Sequence, residues 1–425
     1  MRPNGKICLR KRRMSNPAVP THWPVTQFPV VDKELVIGGI PLRRLSARVG
    51  ATPFYAYDRR LVSERVALLR RHLPSEIFLR YAVKANPMPA LLSHLSGQID
   101  GFDVSSLKEL SVALDTGLPA GDIGLSGPGK TEHLLSCAVA AGVVIDLESE
   151  RDLTVALAAG STLGITPKVA VRINPDFEFK RSSVRMGGGA RQFGVDADRV
   201  PDLLTRIAGS PAEFEGFHVF SGSQNLSAES IVEALTNSLE LVYRLSRHAK
   251  TPPKSVTLGG GFGIPYFPGD KPLDLSVIGK RFEELMAEVR TVLPRTKIVL
   301  ELGRYIVGEA GIYACRVVDR KVSRGQVFLV TDGGMNHHLA ASGNLGQTIR
   351  KNYPVAVGNR MDSDVTETAS IVGPLCTPLD LLGDKVKIPH AEIGDLIVVF
   401  QSGAYGLTAS PMEFLGHPRP AEVLV

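Results

Sequence analysis

The chain has 425 residues, 44% of them hydrophobic and 22% charged, and it is long enough to bury the cores of two domains. No apolar stretch approaches the length that a bilayer crossing needs, so we expect no membrane span. The net charge of +6 arises entirely in residues 1–31, which hold six basic and no acidic side chains, whereas the rest of the chain carries 43 of each sign.

Residues 1–27 are the basic part of the chain. Such an arm can bind nucleic acid or anionic lipid, but this one has neither interleaved aromatic residues nor an amphipathic pattern. We therefore expect a disordered tail and no nucleic-acid partner. Met14 offers an alternative start that would remove the excess charge.

The cysteine pattern indicates the redox compartment. Four cysteines are present: Cys8, Cys137, Cys315 and Cys376. Their spacing shows no pairing, which favours a reducing cytoplasm over a disulfide scaffold.

Residues 28–50 precede the main series of elements. Within them, residues 34–42 place Gly38 and Gly39 between two apolar runs, a pattern typical of a hairpin. We expect this segment to pack with a domain formed much later in the chain.

Residues 51–309 alternate short apolar runs with stretches of helical spacing. The apolar runs are 77–83, 99–104, 122–125, 143–147, 168–173, 216–220, 255–258 and 298–302. The helical stretches are 106–118, 131–141, 148–159, 228–248 and 275–293. Eight strand-helix units with right-handed crossovers close into a barrel, so the fold class is α/β with a (β/α)8 barrel.

Residues 310–425 contain strands separated by turns rather than by helices. The predicted strands are 310–322, 326–331, 353–357, 368–372, 395–401 and 421–425. They predict a mostly antiparallel β domain, discontinuous because residues 28–50 join it.

Lys84 ends the first apolar run of the barrel. A lysine at the end of a buried strand can be partly desolvated, which favours the neutral amine and suits it to forming a Schiff base with an aldehyde cofactor. The alternative is a solvated lysine that merely ends a strand. In barrels of this type the chemistry gathers where the strands end, and many polar residues follow the other strands. They include Asp103, Ser126, Asp146, Glu148, Arg172, Asn174, His218, Ser223, Glu301 and Arg304.

Three features at the ends of the strands have definite physical roles. Residues 259–261 are three glycines after a strand, where successive amides can cradle a phosphate. A carboxylate at Glu301 could keep a pyridine nitrogen protonated, and an imidazole at His218 could stack on the ring. Together with Lys84 they predict a pyridoxal phosphate site.

At this point the chain resembles the fold-type III pyridoxal phosphate decarboxylases, such as diaminopimelate and ornithine decarboxylases. The motifs that carry the resemblance lie at residues 81–86, 102–106, 218–224, 259–261, 301–304, 332–336, 373–376 and 403–405. Residues 372–380 and 409–418 most resemble the group associated with exosortase A systems.

The resemblance implies specific roles around the cofactor. Lys84 forms the Schiff base, His218 stacks on the ring and Glu301 pairs with the pyridine nitrogen. The residues expected to complete the cofactor site are Asp103, Ser223, Gly260, Gly261, Arg304 and Tyr405.

The family also forms head-to-tail homodimers with shared active sites. The resemblance implies that Cys376 comes from the partner subunit and donates a proton at the substrate's α carbon. Read without the family, Cys376 is a small buried apolar residue.

Substrate contacts depart from the better-known members. Diaminopimelate decarboxylases place a glutamate directly after this cysteine, where it meets the substrate's distal amino group, but Thr377 stands here. We assign Arg172, Thr377 and Asp380 to the substrate pocket. The usual arginine and Pro-x-Leu-Tyr run after residues 332–336 is replaced by residues 337–342, which contain His337 and His338. Adjacent residues cannot share one face of a strand, so we expect no metal site there.

The sequence thus predicts a homodimeric carboxy-lyase that decarboxylates an amino acid or a related aminoacyl compound, free or carried by a protein. An amino-acid racemase of the same barrel type is one alternative, although Glu301 stands where racemases usually have an arginine. A catalytically silent regulatory relative is the other alternative.

Overall fold

The computed structural model describes residues 24–425, apart from 178–183, 186, 221 and 348. Most of the predicted basic tail, residues 1–23, lies outside the described residues.

A closed barrel of parallel strands forms the first domain. Each strand pairs with the next one along the chain, and the eighth pairs with the first. The strands are Phe78–Ala82, Gly101–Val104, Ile123–Leu125, Val144–Leu147, Lys168–Asn174, Glu213–Val219, Ser255–Gly259 and Lys297–Leu302. The short strand Val195–Asp196 adds to the outside of the fifth. All eight predicted barrel strands are therefore confirmed, with ends that differ by a few residues.

Helices connect the strands and cover the barrel, except Leu42–Val49, which packs with the second domain. Their bounds are Leu42–Val49, Arg59–His72, Pro89–Leu95, Leu107–Leu114, Glu132–Ala141, Glu150–Leu163, Val200–Ala208, Ala228–Ser246, Leu275–Val292 and Arg304–Val307. Several begin where a serine or threonine side chain accepts a backbone N–H, as Ser106, Thr131 and Ser149 do. No helix within the described ranges is long and apolar enough to cross a membrane.

Four helices of the described barrel region were not predicted: Arg59–His72, Pro89–Leu95, Val200–Ala208 and the single turn Arg304–Val307. The first carries buried Val62, Val66 and Leu69 at helical spacing, so its signal was present in the sequence. Its residues Arg59, Arg60 and Arg71 are exposed.

The second domain is built around one long strand, Gly311–Ser323. That strand pairs antiparallel with Phe54–Tyr57, Gln326–Thr331 and Leu396–Val399. The other strands of this sheet are Val355–Val357, Thr366–Val372, Leu381–Pro389 and Ala421–Leu424. Two pairs are parallel, Gln326–Thr331 with Thr366–Val372 and Phe54–Tyr57 with Ala421–Leu424. The sheet is mostly antiparallel, as predicted.

Two strands depart from the predicted organisation of this domain. Phe54–Tyr57 falls in the range assigned to the barrel, 51–309, yet its backbone hydrogen bonds place it in the second sheet. Leu381–Pro389 was not predicted as a strand, because Gly383 and the positive φ of Lys385 interrupt its alternation.

The predicted hairpin near residue 38 is confirmed. Strands Glu34–Ile37 and Ile40–Pro41 pair antiparallel, and Val30–Val31 adds to the first of them. The amide of Leu35 donates to the carbonyl of Gly358, and the segment shares an apolar cluster with Phe54, Ile312 and Val398. Residues 28–49 therefore pack on the second domain.

The interior of the barrel is polar toward the ends of its strands, where barrels of this type usually hold branched apolar side chains. Arg80, on the first strand, reaches across to the seventh and donates from Nη1 to Thr257 Oγ1 over 3.3 Å. A Cβ at Gly124, on the third strand, would lie 2.8 Å from that nitrogen, so the glycine leaves room for the guanidinium. This layer forms the floor of the site.

Candidate active site

Lys84 lies at the open end of the barrel, in a single 3-10 turn, Val83–Ala85, that directly follows the first strand. Its Nζ is 3.5 Å from Glu301 Oε1 and 4.0 Å from Asp103 Oδ2. Because its side chain is 31% exposed, the amine can be reached from the mouth of the barrel.

The protonation of Lys84 differs from the sequence prediction. Burial lowers its pKa, but the carboxylates of Glu301 and Asp103 outweigh that effect and raise the pKa above the ordinary value of lysine. The prediction of a neutral amine was therefore wrong for the described chain. The prediction considered only the effect of burial, because the sequence does not show that two acids flank the amine.

His218 is held between two carboxylates. Its Nδ1 lies 2.8 Å from Asp146 Oδ2, and its Nε2 lies 3.0 Å from Glu301 Oε2. Burial lowers the imidazole pKa, yet the ion pair with Asp146 and the contact with Glu301 raise it to about 9. The ring is thus a buried cation at neutral pH.

Glu301 is buried, and its pKa is held well below the usual range because Lys84 and His218 outweigh the effect of burial. Although both cations are close, neither carboxylate oxygen of Glu301 has a hydrogen bond of good geometry within the described residues. A buried acceptor without a hydrogen bond is costly, so this site is prepared for a donor. The N–H of a protonated pyridine is such a donor.

Asp103 is the second acid beside Lys84. Ser126 Oγ donates to its Oδ2 over 2.9 Å. Burial and the nearby Glu301 raise its pKa to about 7, against the pull of Lys84. Asp103 can therefore gain or lose its proton near neutral pH, whereas Glu301 stays ionised.

One ligand atom each of Asp103, Asp146 and His218 lie within 4.8 Å of one another, a grouping that could in principle hold a cation. However, Nδ1 of His218 already contacts Asp146, and Nζ of Lys84 is 4.0 Å from Asp103. The acids therefore have cations of their own, and we assign the group to the cofactor site.

The glycine run forms a tight backbone cradle. Gly261 has a φ of +62°, and a Cβ there would lie 2.5 Å from the carbonyl oxygen of Gly222. Ser223, next to Gly222, pairs with the short strand Val184–Arg185. Only glycine allows this approach, and the space suits the predicted phosphate.

Arg304 supplies the cation expected beside the cradle. Its Nη1 donates to Tyr266 Oη over 2.7 Å, and its guanidinium carbon lies 4.7 Å from the centre of the Tyr405 ring. Burial lowers the pKa of Arg304, but the interactions with these tyrosines raise it by more. The guanidinium is therefore permanently charged. Arg304 Nε has no hydrogen bond within the described chain, which leaves it a donor for an anion.

Tyr405 connects the second domain to the Lys84 turn. Its backbone N–H donates to the carbonyl of Ala85 over 2.8 Å, and Asn86 Nδ2 donates to the carbonyl of Gly403 over 3.0 Å. The φ of Tyr405 is +53°, an uncommon value for a bulky residue and one typical of functional sites.

Arg172, assigned above to the substrate pocket, lies near Lys84 and Glu301 and is paired with a carboxylate, and its contact with substrate stays a prediction. Its Nη1 donates to Glu148 Oε1 over 3.0 Å, and Glu148 also accepts from the amides of Gly127 and Gly194. The guanidinium lies 5.8 Å from the Phe220 ring. Arg172 therefore has its own counter-charge at the wall of the site.

The loop that carries Cys376 lies in the second domain. Cys376 is exposed, and Thr377 Oγ1 accepts from the amide of Leu379 over 3.3 Å. Among the described residues, the ionic and ring partners of Lys84 are Asp103, Glu301 and Phe220, and Cys376 is not one of them.

The assignment of Asp380 to the substrate pocket is not supported by its contacts. Its two carboxylate oxygens accept from the amides of Met335 and Leu375 over 2.6 and 2.8 Å. The side chain is buried and closes the loop of residues 375–380. Asp380 thus stabilises the loop. The sequence alone could not distinguish this structural role from a contact with substrate.

His337 and His338 are fully buried, His338 against the rings of Tyr55 and Tyr313 and His337 with its Nε2 3.1 Å from Asn336 Nδ2. The Nε2 of His338 lies 2.9 Å from Ser402 Oγ, and burial lowers the pKa of His337 to about 4 and that of His338 to about 3. Both rings are neutral core residues.

Sequence reasoning missed three contributors to the site: Arg80, Tyr266 and Lys130. Lys130 donates to Asp152 Oδ2 over 3.1 Å and lies 3.8 Å from Glu148. The sequence did indicate a role for Arg80, since a charged residue two positions before the end of an apolar strand is expected to point into the barrel. Tyr266 lies in an irregular loop, where sequence spacing gives no direction.

Fold and site together define an enzyme class: a (β/α)8 barrel whose mouth holds a lysine for a carbonyl cofactor, a carboxylate for a ring nitrogen and a cradle for a phosphate. Residues 59–308 match the family model "Pyridoxal-dependent decarboxylase, pyridoxal binding domain". The chain belongs to this family, and it is a carboxy-lyase that uses pyridoxal 5'-phosphate.

Two curated relatives illustrate the range of the family. The chain is 38% identical to the L-glutamyl-[BtrI acyl-carrier protein] decarboxylase of Niallia circulans, covering 88% of each chain. It is 33% identical to the diaminopimelate decarboxylase of Aquifex aeolicus, covering 93% of this chain and 91% of the relative.

The solved structures show the same two-domain fold. Diaminopimelate decarboxylase from M. jannaschii superimposes with a TM-score of 0.85, covering 93% of this chain and 92% of the other, at 23% identity. A point mutant of the diaminopimelate decarboxylase from Helicobacter pylori, complexed with L-lysine, gives a TM-score of 0.77 at 25% identity, covering 88% of this chain and 92% of the other.

Proposed function

We propose that this enzyme decarboxylates an amino acid that is joined through its side-chain acyl group to a carrier protein. The attachment point follows from the chemistry. The carboxyl group next to the amine leaves as carbon dioxide, so it must be free, and the carrier must hold another acyl group. A dicarboxylic amino acid, linked through its distal carboxyl, meets both conditions.

The contacts of the Cys376 loop carry this proposal. Diaminopimelate, lysine and ornithine each carry a distal ammonium, which needs a carboxylate in a desolvated pocket. The loop of residues 375–380 offers Thr377 in place of a glutamate, and both oxygens of Asp380 are already bonded to backbone amides. An acyl group linked to a carrier has no such charge to satisfy.

The comparisons agree with this choice. The Niallia circulans relative is named for a glutamyl group on an acyl-carrier protein, and it is more similar to this chain than the Aquifex aeolicus diaminopimelate decarboxylase is. The resemblance to the exosortase-associated group remains a prediction, as does a cytoplasmic location.

The residues at the mouth have separable tasks. Bound pyridoxal phosphate supplies an aldehyde that takes up the substrate amine and a ring that withdraws the electron pair left when carbon dioxide departs. Lys84 binds the aldehyde and later accepts or returns a proton at Nζ. Glu301 would accept from the ring nitrogen and keep it protonated, and His218, fixed by Asp146, would stack on the ring. Ser223, Gly260, Gly261, Arg304 and Tyr405 hold the phosphate.

The active enzyme is proposed to be a head-to-tail homodimer. Cys376 is exposed and is not among the ionic or ring partners of Lys84 in the described chain, which supports a role in the site of a partner. There its thiol would donate the proton that replaces carbon dioxide on the α carbon. Thr377 would approach the distal part of the substrate.

Glu301 also argues against a racemase. Racemization needs the α proton to be removed while the carboxylate stays. A ring nitrogen held protonated by a buried anion withdraws electrons strongly and favours loss of carbon dioxide. The retained lysine, carboxylate and anion cradle likewise leave no reason to assume a silent relative.

A substrate panel tests the proposed function. Carbon dioxide release is measured with meso-diaminopimelate, L-lysine, L-ornithine, L-glutamate and the γ-L-glutamyl thioester of an acyl-carrier protein. We expect the carrier thioester to have the highest kcat/KM. Efficient turnover of meso-diaminopimelate, with none of the thioester, would contradict the proposal.

A further inference from the structure

Arg80, in the floor of the site, is a buried cation that makes no ion pair within the described residues. It is 8% exposed, and the hydrogen bond of its side chain in this part of the chain goes from Nη1 to Thr257 Oγ1. Its Nε has no hydrogen-bond partner there. A buried charge costs free energy unless opposite charges offset it, so the acids that offset Arg80 lie near the guanidinium but beyond ion-pair distance.

Asp103 faces this guanidinium across Gly124. The two residues are neighbours in the pairing of the second and third barrel strands. A Cβ at Gly124 would lie 2.8 Å from Arg80 Nη1 and 3.6 Å from Asp103 Oδ1, so both atoms border the gap that the glycine leaves. Oδ1 has no hydrogen bond within the described chain, whereas Oδ2 accepts from Ser126. The unbonded oxygen of Asp103 thus faces a positive charge.

The charge of Arg80 also reaches Asp146. One carboxylate oxygen of Asp146 lies within 4.8 Å of one of Asp103. Burial raises the pKa of Asp146, but the ion pair with His218 and, after it, the charge of Arg80 are among the effects that bring it below the ordinary value. Arg80 therefore stabilises negative charge at the mouth from the floor of the site.

Charged groups on the other side of Arg80 interact with it more weakly. Arg80 lines a small cavity at the opposite end of the barrel, together with Asp100, Asp122, Glu215, Lys254 and Lys297. These five residues are all at least partly exposed, so water screens their charges. Asp103 and Asp146 are buried, and their interaction with the guanidinium is screened less.

Arg80 differs from the other cations near Asp103 because its charge is permanent. Lys84 must give up its charge to bind an aldehyde, and Glu301 must accept from the ring nitrogen. Asp103 is then the acid that remains for the nitrogen of Lys84. Burial and Glu301 already raise the pKa of Asp103 to about 7, so it takes up a proton easily. A guanidinium stays charged throughout the pH range of the enzyme and opposes that uptake.

We propose that Arg80 is a positioning residue of this site, whose fixed charge keeps Asp103 ionised at neutral pH. Ionised Asp103 holds the nitrogen of Lys84 while Glu301 is engaged with the cofactor ring. Arg80 acts on the reaction through Asp103. The role is the same for a free amino acid and for one joined to a carrier, so it does not depend on the substrate proposed above.

Carbon-13 NMR of enzyme labelled at the aspartate carboxyl carbon measures the charge of Asp103. The signal is assigned with Asp103→Asn, and the enzyme is titrated both without cofactor and loaded with pyridoxal 5'-phosphate. Arg80→Met and Arg80→Gln remove the charge, and Arg80→Lys keeps it. Arg80→Gln can still donate to Thr257, so it keeps the test decisive if Arg80→Met does not fold. The control Lys280→Met removes an exposed charge on the helix Leu275–Val292.

We expect the pKa of Asp103 to be about 7 in the cofactor-free wild type and about one pH unit higher in Arg80→Met and Arg80→Gln. Arg80→Lys and Lys280→Met should titrate like the wild type. A purely structural role predicts the opposite direction, because a loosened barrel admits water and brings the pKa back toward the ordinary value of aspartate. A pKa in the neutral variants that is equal to or below that of the wild type would overturn the inference.

The pH dependence of turnover is a second readout. Carbon dioxide release is followed with the compound of the substrate panel that the wild type turns over fastest. Arg80→Met should lower kcat about fivefold at pH 7 and regain most of it at about pH 9, where Asp103 is ionised again. A loss of the same size at both pH values would contradict the proposed role. If the wild type turns over no panel compound, the proposed function fails, and the NMR titration still decides the role of Arg80.

Discussion

Nζ of Lys84 lies 3.5 Å from Oε1 of Glu301, so the amine that must bind the cofactor is paired with the acid that must bind its ring. In the described chain this pairing keeps the lysine charged and the acid ionised. Cofactor binding must separate the pair, and only the neutral amine can attack an aldehyde. Loading of the cofactor should therefore be linked to loss of a proton from Lys84.

Lys84→Ala should abolish covalent retention of pyridoxal phosphate. After borohydride treatment, the wild type should carry the reduced cofactor on Lys84 in a peptide mass spectrum, and Lys280→Ala, at an exposed lysine, should do the same. The rate of loading should rise with pH, because the raised pKa of Lys84 leaves little neutral amine near pH 7. A colourless wild type after incubation with cofactor would contradict the assignment.

Glu301→Gln removes the charge opposite the ring nitrogen but keeps the side-chain shape. We expect decarboxylation to slow by about 10²-fold, or about 2.7 kcal/mol, because the neutral amide stabilises a protonated ring poorly. The pKa of Lys84 should also fall, and loading should become faster near neutral pH. Turnover equal to that of the wild type would mean that another group serves the nitrogen.

Asp146→Asn should lower stability in a pH-dependent way. The folded pKa of His218 is raised to about 9, so the stabilisation by its ion pair is complete below the ordinary histidine pKa and is lost as pH rises through about 9. Breaking a buried pair costs about 3 kcal/mol. Melting temperatures at pH 7 and pH 10 test this. The difference in melting temperature between Asp146→Asn and the wild type should be smaller at pH 10 than at pH 7. The control Asp364→Asn, at an exposed acid, should have the melting temperature of the wild type at both.

Gly261→Ala should weaken cofactor binding through a local clash. The new Cβ would meet the carbonyl oxygen of Gly222 at 2.5 Å, at a φ of +62°. Gly269 has a φ of +87° with open space around it, so Gly269→Ala imposes the backbone strain without the clash. We expect Kd for pyridoxal phosphate to rise by about tenfold in Gly261→Ala only. Equal effects in both variants would show that strain, not the cradle, is responsible.

Subunit mixing tests whether Cys376 acts across a dimer interface. Lys84→Ala and Cys376→Ala enzymes should each have little activity, whereas their mixed dimers should regain it, because one site then contains both wild-type residues. Exchange is verified with two different affinity tags. Proven mixed dimers that stay inactive would place both residues in one chain.

The sequence predicted the barrel more completely than the site. The eight strands are apolar runs at regular intervals, and hydrophobic spacing is local information. The charge state of Lys84 is not local, since it depends on Asp103 and Glu301 from the second and eighth strands. Asp380 shows the same limit: a buried carboxylate bonded to backbone and one aimed at a substrate have the same sequence signature. Arg80 could have been found from alternation along its strand, whereas Tyr266 could not.

The strand Ala421–Leu424 pairs with Phe54–Tyr57, although the whole barrel lies between them in the chain. During synthesis, Phe54–Tyr57 therefore stays unpaired on that edge until residues 421–424 have been made, while every strand of the barrel has already emerged. We expect the barrel to fold first and the second domain to close later. Because Tyr405 belongs to that later domain, the phosphate site can be completed only after the barrel has formed.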